Sequence, residues 1–363
     1  MVLCPPFPNK EQDTGPIILV IIILQKIRYT AFASNYKYDN VEVYFAKHIT
    51  FPFNFSRQKR GDMAIKVVNK IIKKYNINFD LIHAHFTYPS GYVAAKLKEI
   101  HEKKFILTIH EYGEWFSNEI LSKDRKLIYT WQSADKIVRV NKMDLKKFDN
   151  LEIDKSKLLY IPNGFSSDMF KPKNMLTARK KLDLPIDKRI LVNIANLEEY
   201  KGQKYLIKSM EKVLVAQKDV MLYIVGEGSL RNRLQSMIQE YGLQKNVELA
   251  GGNKPREEIP IWMQACDVFV LPSLSEGNPT VMFEALGCGK PFIGTNVDGI
   301  PEIIINYKLG NLVEPRDANG LAEAILSALD NKWDGDYIRD YAGQFTWDRI
   351  AERLLDIYET ILN

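Results

Sequence analysis

Short apolar runs alternate with amphipathic stretches along most of this chain. In the first half the runs fall at 41–45, 81–85, 105–110, 136–140 and 158–161. In the second half they fall at 189–195, 221–225, 247–250, 267–271 and 291–294. Between them lie helical patterns. The one at 62–75 has an apolar stripe of Ala64, Ile65, Val68, Ile71, Ile72 and Tyr75, and a polar face of Lys66, Lys70, Lys73 and Lys74. Strand–helix alternation predicts mostly parallel sheets covered by helices. At 363 residues the chain is long for one core, so two such domains are expected. The polar stretch from Pro162 to about Asp187, with its Pro and Lys residues, reads as the link between them.

One strand–turn–helix carries the clearest chemistry. Residues 267–271 read as a short buried strand and residues 280–287 as a helix, with Asn278 as its N-cap and Pro279 as its first residue. The turn between them, Glu276-Gly277-Asn278-Pro279-Thr280, joins a strand's C-terminal end to a helix N-terminus. Open α/β sheets bind ligands there, and helix amides attract phosphate. Glu276 in the turn and Glu284 about a turn into the helix supply carboxylates that accept hydrogen bonds from hydroxyls. The loop thus offers donors for a phosphate and acceptors for a sugar.

The run from Ala265 to Glu302 resembles the retaining, nucleotide-sugar-dependent glycosyltransferases of family 4 (glycosyl transferases group 1), with their E-x7-E motif at Glu276 and Glu284. Asp267-Val268-Phe269-Val270-Leu271-Pro272-Ser273, Gly289-Lys290-Pro291 and Gly299-Ile300-Pro301-Glu302 share the likeness. It extends over about 80–363 and is poor in the first 60 residues. The family's Gly-Gly loop has no counterpart there, since Gly15 is the only glycine before Gly61. That points to a clipped or divergent start.

The resemblance implies an α/β protein of the GT-B fold, with two facing Rossmann-like domains. Residues 1–170 would form the acceptor-side domain and 171–345 the nucleotide-sugar domain. Residues 346–363 would form a helix crossing back to the first. Glu284 would hold the ribose and Glu276 the sugar hydroxyls. Gly277, Asn278, Pro279, Thr280 and Lys201 would hold the diphosphate. Lys201-Gly202 matches the family's Lys-Gly, whereas Asn196 replaces an Arg, so a charged fork becomes a neutral donor. Gly226 opens a turn beside the nucleotide. Asn253 and Lys254 follow the Gly251-Gly252 loop that reads the base. A nicotinamide site is disfavoured, because the third glycine of that fingerprint would fall on Arg231. His110, ending its strand, would reach the donor sugar. His83 and His85 are expected to lie on opposite faces of theirs, and so not to pair on a metal. Asp334-Gly335-Asp336 reads as a polar turn rather than a metal site.

The expected reaction moves a sugar, with retention, from a UDP- or GDP-sugar to an acceptor hydroxyl, in cell-surface polysaccharide or glycolipid synthesis. No cofactor and no metal are expected. An NDP-sugar epimerase of the same architecture and an inert GT-B binding protein stay open. Residues 1–170 carry 26 Lys and Arg against 18 Asp and Glu, or +8, while the rest carries 24 against 27, or −3. The basic half suits an anionic membrane surface or acceptor (glycan, lipid-linked or small molecule), and no nucleic-acid partner is expected. The eight apolar residues 17–24 fall short of the ~20 that a membrane span needs. Three cysteines without metal spacing suit a reducing cytoplasm, and the basic helix at 62–75 with the 17–24 run suits a peripheral place on the inner face of the membrane.

Overall fold

The computed structural model describes residues 21–26, 36–38, 41–48, 56–252 and 254–363. They fall into two compact units. One spans residues 162–350. The other comprises the described residues up to Ile161 together with residues 351–363.

In the first-half unit, β1 (Ile21–Lys26), β2 (Tyr36–Tyr38) and β3 (Val41–His48) form a sheet in the order β1-β3-β2. β1 runs parallel to β3 and β2 antiparallel to it. Residues 21–24 of the first apolar run thus lie in a strand; residues 17–20 lie outside the described residues. β4 (Leu81–His85), β5 (Lys104–Ile109), β6 (Lys136–Arg139) and β7 (Leu158–Tyr160) form a second sheet, all parallel and in chain order. Parallel neighbours need crossovers, which the helices supply. The basic helix, Ser56–Lys74, starts earlier than its stripe suggests. It buries Ala64, Val68 and Ile72 against Val93 and Leu97. On β5, Phe105, Leu107 and Ile109 pack one face against Phe116, Trp131 and Phe148.

In the second-half unit, β8 (Arg189–Ile194), β9 (Val220–Val225), β10 (Val247–Gly251), β11 (Val268–Leu271), β12 (Phe292–Thr295) and β13 (Gly310–Val313) form one parallel sheet. Its order is β10-β9-β8-β11-β12-β13. The order reverses direction at β8, so the crevice beyond the C-terminal ends of β8 and β11 is a topological switch point, where such sheets bind ligands. Side chains alternate between two cores. Ile190, Val192, Tyr223, Val225, Phe269, Leu271 and Phe292 fill one face. Leu191, Leu222, Ile224, Val268, Val270 and Ile293 fill the other. Each such side chain contributes about 1.5–3 kcal/mol on burial, and the two-sided burial explains why these strands read as continuous apolar runs.

The stretch expected to be a link is packed into this unit. Phe165 is 3% exposed, its N–H donates to the Phe345 carbonyl, and Met175–Lys181 is a helix. The last helix, Trp347–Leu362, begins beside Phe165. From Ala351 onward its residues belong to the first-half unit. There Tyr358 is buried, and Arg353 donates to the Tyr160 carbonyl at 3.2 Å. Among the described residues, no helix is long and apolar enough to cross a membrane.

Candidate active site

The loop after β11 is held from several sides. Glu276 is 5% exposed, and one carboxylate oxygen accepts from Lys201 Nζ at 2.6 Å and from Ser273 Oγ at 2.6 Å. A buried carboxylate is tolerated only when paired and hydrogen-bonded, and here it is both. The Glu276 N–H donates to Asp298 Oδ2 at 2.7 Å, and the Ser275 hydroxyl donates to the same oxygen at 2.9 Å. Lys201 reaches the loop because Gly202 turns the backbone at φ +67°. A Cβ at Gly202 would lie 2.0 Å from the Pro272 carbonyl oxygen, so only glycine fits.

The helix after the loop is Thr280–Gly287, and its N-cap is Pro279 rather than Asn278. Asn278 is buried and otherwise engaged. Its Oδ1 accepts from the Asn163 N–H at 2.8 Å, and its carbonyl accepts from Asn163 Nδ2 at 2.6 Å. Its capping role is lost to this long-range clamp. Its Nδ2 is buried and finds no acceptor among the described residues. Thr280 is exposed, and the first helix amides point back toward the loop.

Glu284, in the same helix, is half-buried. No described group hydrogen-bonds its carboxylate. Burial pushes the carboxyl up to about 7, and the charge of Arg256 only partly opposes this.

The neighbouring strand ends complete the setting. A Cβ at Gly226 would lie 1.9 Å from the Ala195 carbonyl oxygen, so the glycine lets the ends of β8 and β9 close up. Glu227 then accepts from the Gly252 N–H at 3.0 Å and from Arg231 at 3.0 Å, tying the β9 and β10 turns together. Asn196 is exposed, and its carbonyl accepts from Gln203 Nε2 at 2.9 Å. Lys254 pairs with Glu258 at 3.2 Å and lies near the Trp262 ring. Asn253 lies outside the described residues.

In the first-half unit His110 follows β5. Arg139, fully buried, donates to the carbonyls on both sides of it, Ile109 at 2.7 Å and Glu111 at 2.6 Å. Arg139 in turn pairs with buried Asp144. Burial would raise the Asp144 carboxyl, but Arg139 and Lys147 hold it below the usual range. His83 and His85 do share a face, contrary to expectation, because residues two apart on a strand point the same way. Their rings stack with centroids 4.6 Å apart.

Ser273, Asp298, Asn163 and Arg139 are the residues that sequence reasoning missed. Only Ser273, next to the motif, carried a local signal. Asp334-Gly335-Asp336 is a helix start rather than a plain turn. Asp334 caps Gly335–Ala342 by accepting from the Tyr337 N–H at 3.0 Å, and Asp336 pairs with Arg339. Among the described residues, no cluster of three or more His, Cys, Asp or Glu is placed to hold a metal ion.

Both halves of the chain are similar to known proteins. Residues 23–168 match the family described as Glycosyltransferase Family 4, and residues 174–345 match Glycosyl transferases group 1. An uncharacterized glycosyltransferase of Methanocaldococcus jannaschii is 26% identical over 343 residues, which is 92% of this chain and 89% of that protein. A putative teichuronic acid biosynthesis glycosyltransferase of Bacillus subtilis is 31% identical over 263 residues, 71% of this chain and 63% of that one. The structure of HepE from Anabaena, solved in complex with UDP, is similar with a TM-score of 0.73 at 20% identity, over 88% of this chain and 86% of that one. With one match running through each half, this chain belongs to the family-4 glycosyltransferases of the GT-B fold.

Proposed function

We propose that this protein is a retaining glycosyltransferase that moves a sugar from a UDP- or GDP-sugar to an acceptor hydroxyl, in the synthesis of a cell-surface polysaccharide or glycolipid. The observation that carries the reading is Glu284, a half-buried carboxylate with no hydrogen-bond partner among the described residues, set behind a helix N-terminus at a topological switch point. Two ribose hydroxyls supply the donors that such a carboxylate lacks. The phosphates take the first amides of the helix and Lys201, whose charge stabilises the leaving diphosphate without a metal. Lys201 exchanges its Glu276 partner for phosphate, which frees Glu276 to accept the sugar hydroxyls. His110 is assigned to the donor sugar. The leaving phosphate helps deprotonate the acceptor on the same face, so no protein nucleophile is required.

UDP is the first nucleotide to test, because HepE, of similar fold, was solved with it. In differential scanning fluorimetry against UDP, GDP, ADP and their sugars, one nucleotide should raise the melting temperature by several degrees. Saturation at a hundred times Kd stabilises the native state by about 2.7 kcal/mol. Glu284→Ala should abolish the shift. A wild type indifferent to every nucleotide would overturn the reading.

The acceptor, in this reading, is presented at an anionic membrane from the cytoplasmic side. Helix Ser56–Lys74 supports this, since Lys66, Lys70, Lys73 and Lys74 are exposed beside Met63. The protein should float with phosphatidylcholine vesicles only when phosphatidylglycerol is added, and high salt should release it. Equal flotation with and without the anionic lipid would remove the membrane from the proposal.

A further inference from the structure

Three imidazoles form a column in the first-half unit. Tyr358 Oη, from the last helix, lies 2.5 Å from His83 Nδ1, and His83 Nε2 lies 2.7 Å from Thr108 Oγ1. The His83 ring stacks on His85 at 4.6 Å, and His85 lies edge to edge with His110, with centroids 5.0 Å apart and planes 14° apart. The last two rings also share a hydrogen bond, from His85 Nδ1 to His110 Nε2, at 2.7 Å. Burial, with the nearby His85 and His110, holds His83 well below the ordinary imidazole value, and burial holds His85 down to about 4. Both rings are therefore neutral near pH 7, with one donor and one acceptor nitrogen each.

We propose that His85 is the positioning residue for His110, fixing its tautomer and ring plane, and that Tyr358, Thr108 and His83 hold His85 in place. The hydrogen-bond logic is restrictive. A phenol is a stronger donor than an aliphatic hydroxyl. Tyr358 therefore donates to His83 Nδ1, and His83 carries its proton on Nε2 and donates it to Thr108. In the His85–His110 bond one nitrogen carries the proton and the other accepts it. If His85 donates from Nδ1, His110 accepts at Nε2 and keeps its proton on Nδ1. If His110 donates from Nε2, His85 accepts at Nδ1 and keeps its proton on Nε2. With His110 neutral, the two rings must then be like tautomers, both Nδ1–H or both Nε2–H. The importance of the column to catalysis rests on His110 meeting the donor sugar, as proposed above, but the column itself is built into the unliganded chain.

The test uses the full chain labelled with 15N-histidine, at pH 7.5 and without nucleotide. The sequence has five histidines, so long-range proton–nitrogen spectra resolve into five ring patterns, assignable by single His→Gln variants. His83 should appear as the Nε2–H tautomer, and His85 and His110 as a like pair without tautomer averaging. His85→Phe keeps an aromatic ring of similar size against His83 but removes the bonding nitrogen, so it should move the His110 nitrogens away from their wild-type values. A role in packing alone would leave them unmoved. Unlike or averaged tautomers in the wild type would overturn the proposal even if His85→Phe fails to fold. So would an unshifted His110 in a folded His85→Phe. Because no nucleotide is present, such a failure is distinct from failure of the donor reading.

Discussion

Arg139→Met should destabilise the first-half unit by about 3–5 kcal/mol, the usual cost of stranding one partner of a buried ion pair. Methionine fills much of the arginine's volume, so the loss is electrostatic rather than a cavity. Asp144 would keep Lys147 at 2.5 Å and the Asn141 amide at 2.9 Å, but lose its buried partner. The Ile109 and Glu111 carbonyls would lose their donors as well. The Asp144 carboxyl is depressed in the folded chain, so its pairing stabilises fully above the unfolded value and is lost as pH falls through the folded one. At pH 7 the whole effect is present. Hydrogen exchange at 106–111 reads it locally, which matters because two units need not unfold in one step. Protection there should fall by about two to four orders of magnitude, which is the same energy expressed as a ratio. Replacing Asp144 by Leu in the Arg139→Met background should restore part of it. Unchanged protection in Arg139→Met would mean that the clamp on His110 does not matter to the fold.

Arg139 also marks where reading the sequence stops. The alternation of runs located β3 to β12, most clearly β5, β9 and β11, because strands buried on two faces are largely apolar. β13, Gly310–Val313, has only two apolar residues and a glycine, and nothing local distinguishes it from a loop. The candidate site loop was legible because its carboxylates, glycine and proline sit within nine consecutive residues. Its supports were not. Asn163 is 115 positions from Asn278, and Asp298 is 22 from Glu276, so no periodicity links them. The misplaced cap at Asn278 has the same origin, a local preference overridden by a distant partner. The stacking of His83 on His85 is different. It follows from the two-residue period of a strand and was available without coordinates.

Glu284→Gln should make the protein more stable and worse at binding its donor. The Glu284 carboxyl titrates near 7 in the folded chain, against about 4.5 for an ordinary glutamate. Between those values the native state holds a proton that the unfolded chain has released, so stability falls as pH rises, and the full cost is reached above 7. The shift corresponds to at most about 3 kcal/mol. Because the side chain is only half-buried, about 1–2 kcal/mol is the expected gain for the neutral glutamine at pH 8. Below about pH 4.5 the glutamate is protonated in both states, and the advantage should vanish. Urea melts of both proteins at pH 8 and pH 4.5 measure this directly. Nucleotide affinity should move the other way, falling about 10- to 100-fold, since hydrogen bonds to a charged acceptor contribute about 1.5–3 kcal/mol. A site kept for binding retains a residue that harms the fold, whereas a carboxylate with no ligand has no reason to persist there. If Glu284→Gln proves less stable at both pH values, the carboxylate is part of the core's own hydrogen bonding. If it gains stability and binds nucleotide as tightly as wild type, the strain is real but the ribose lies elsewhere.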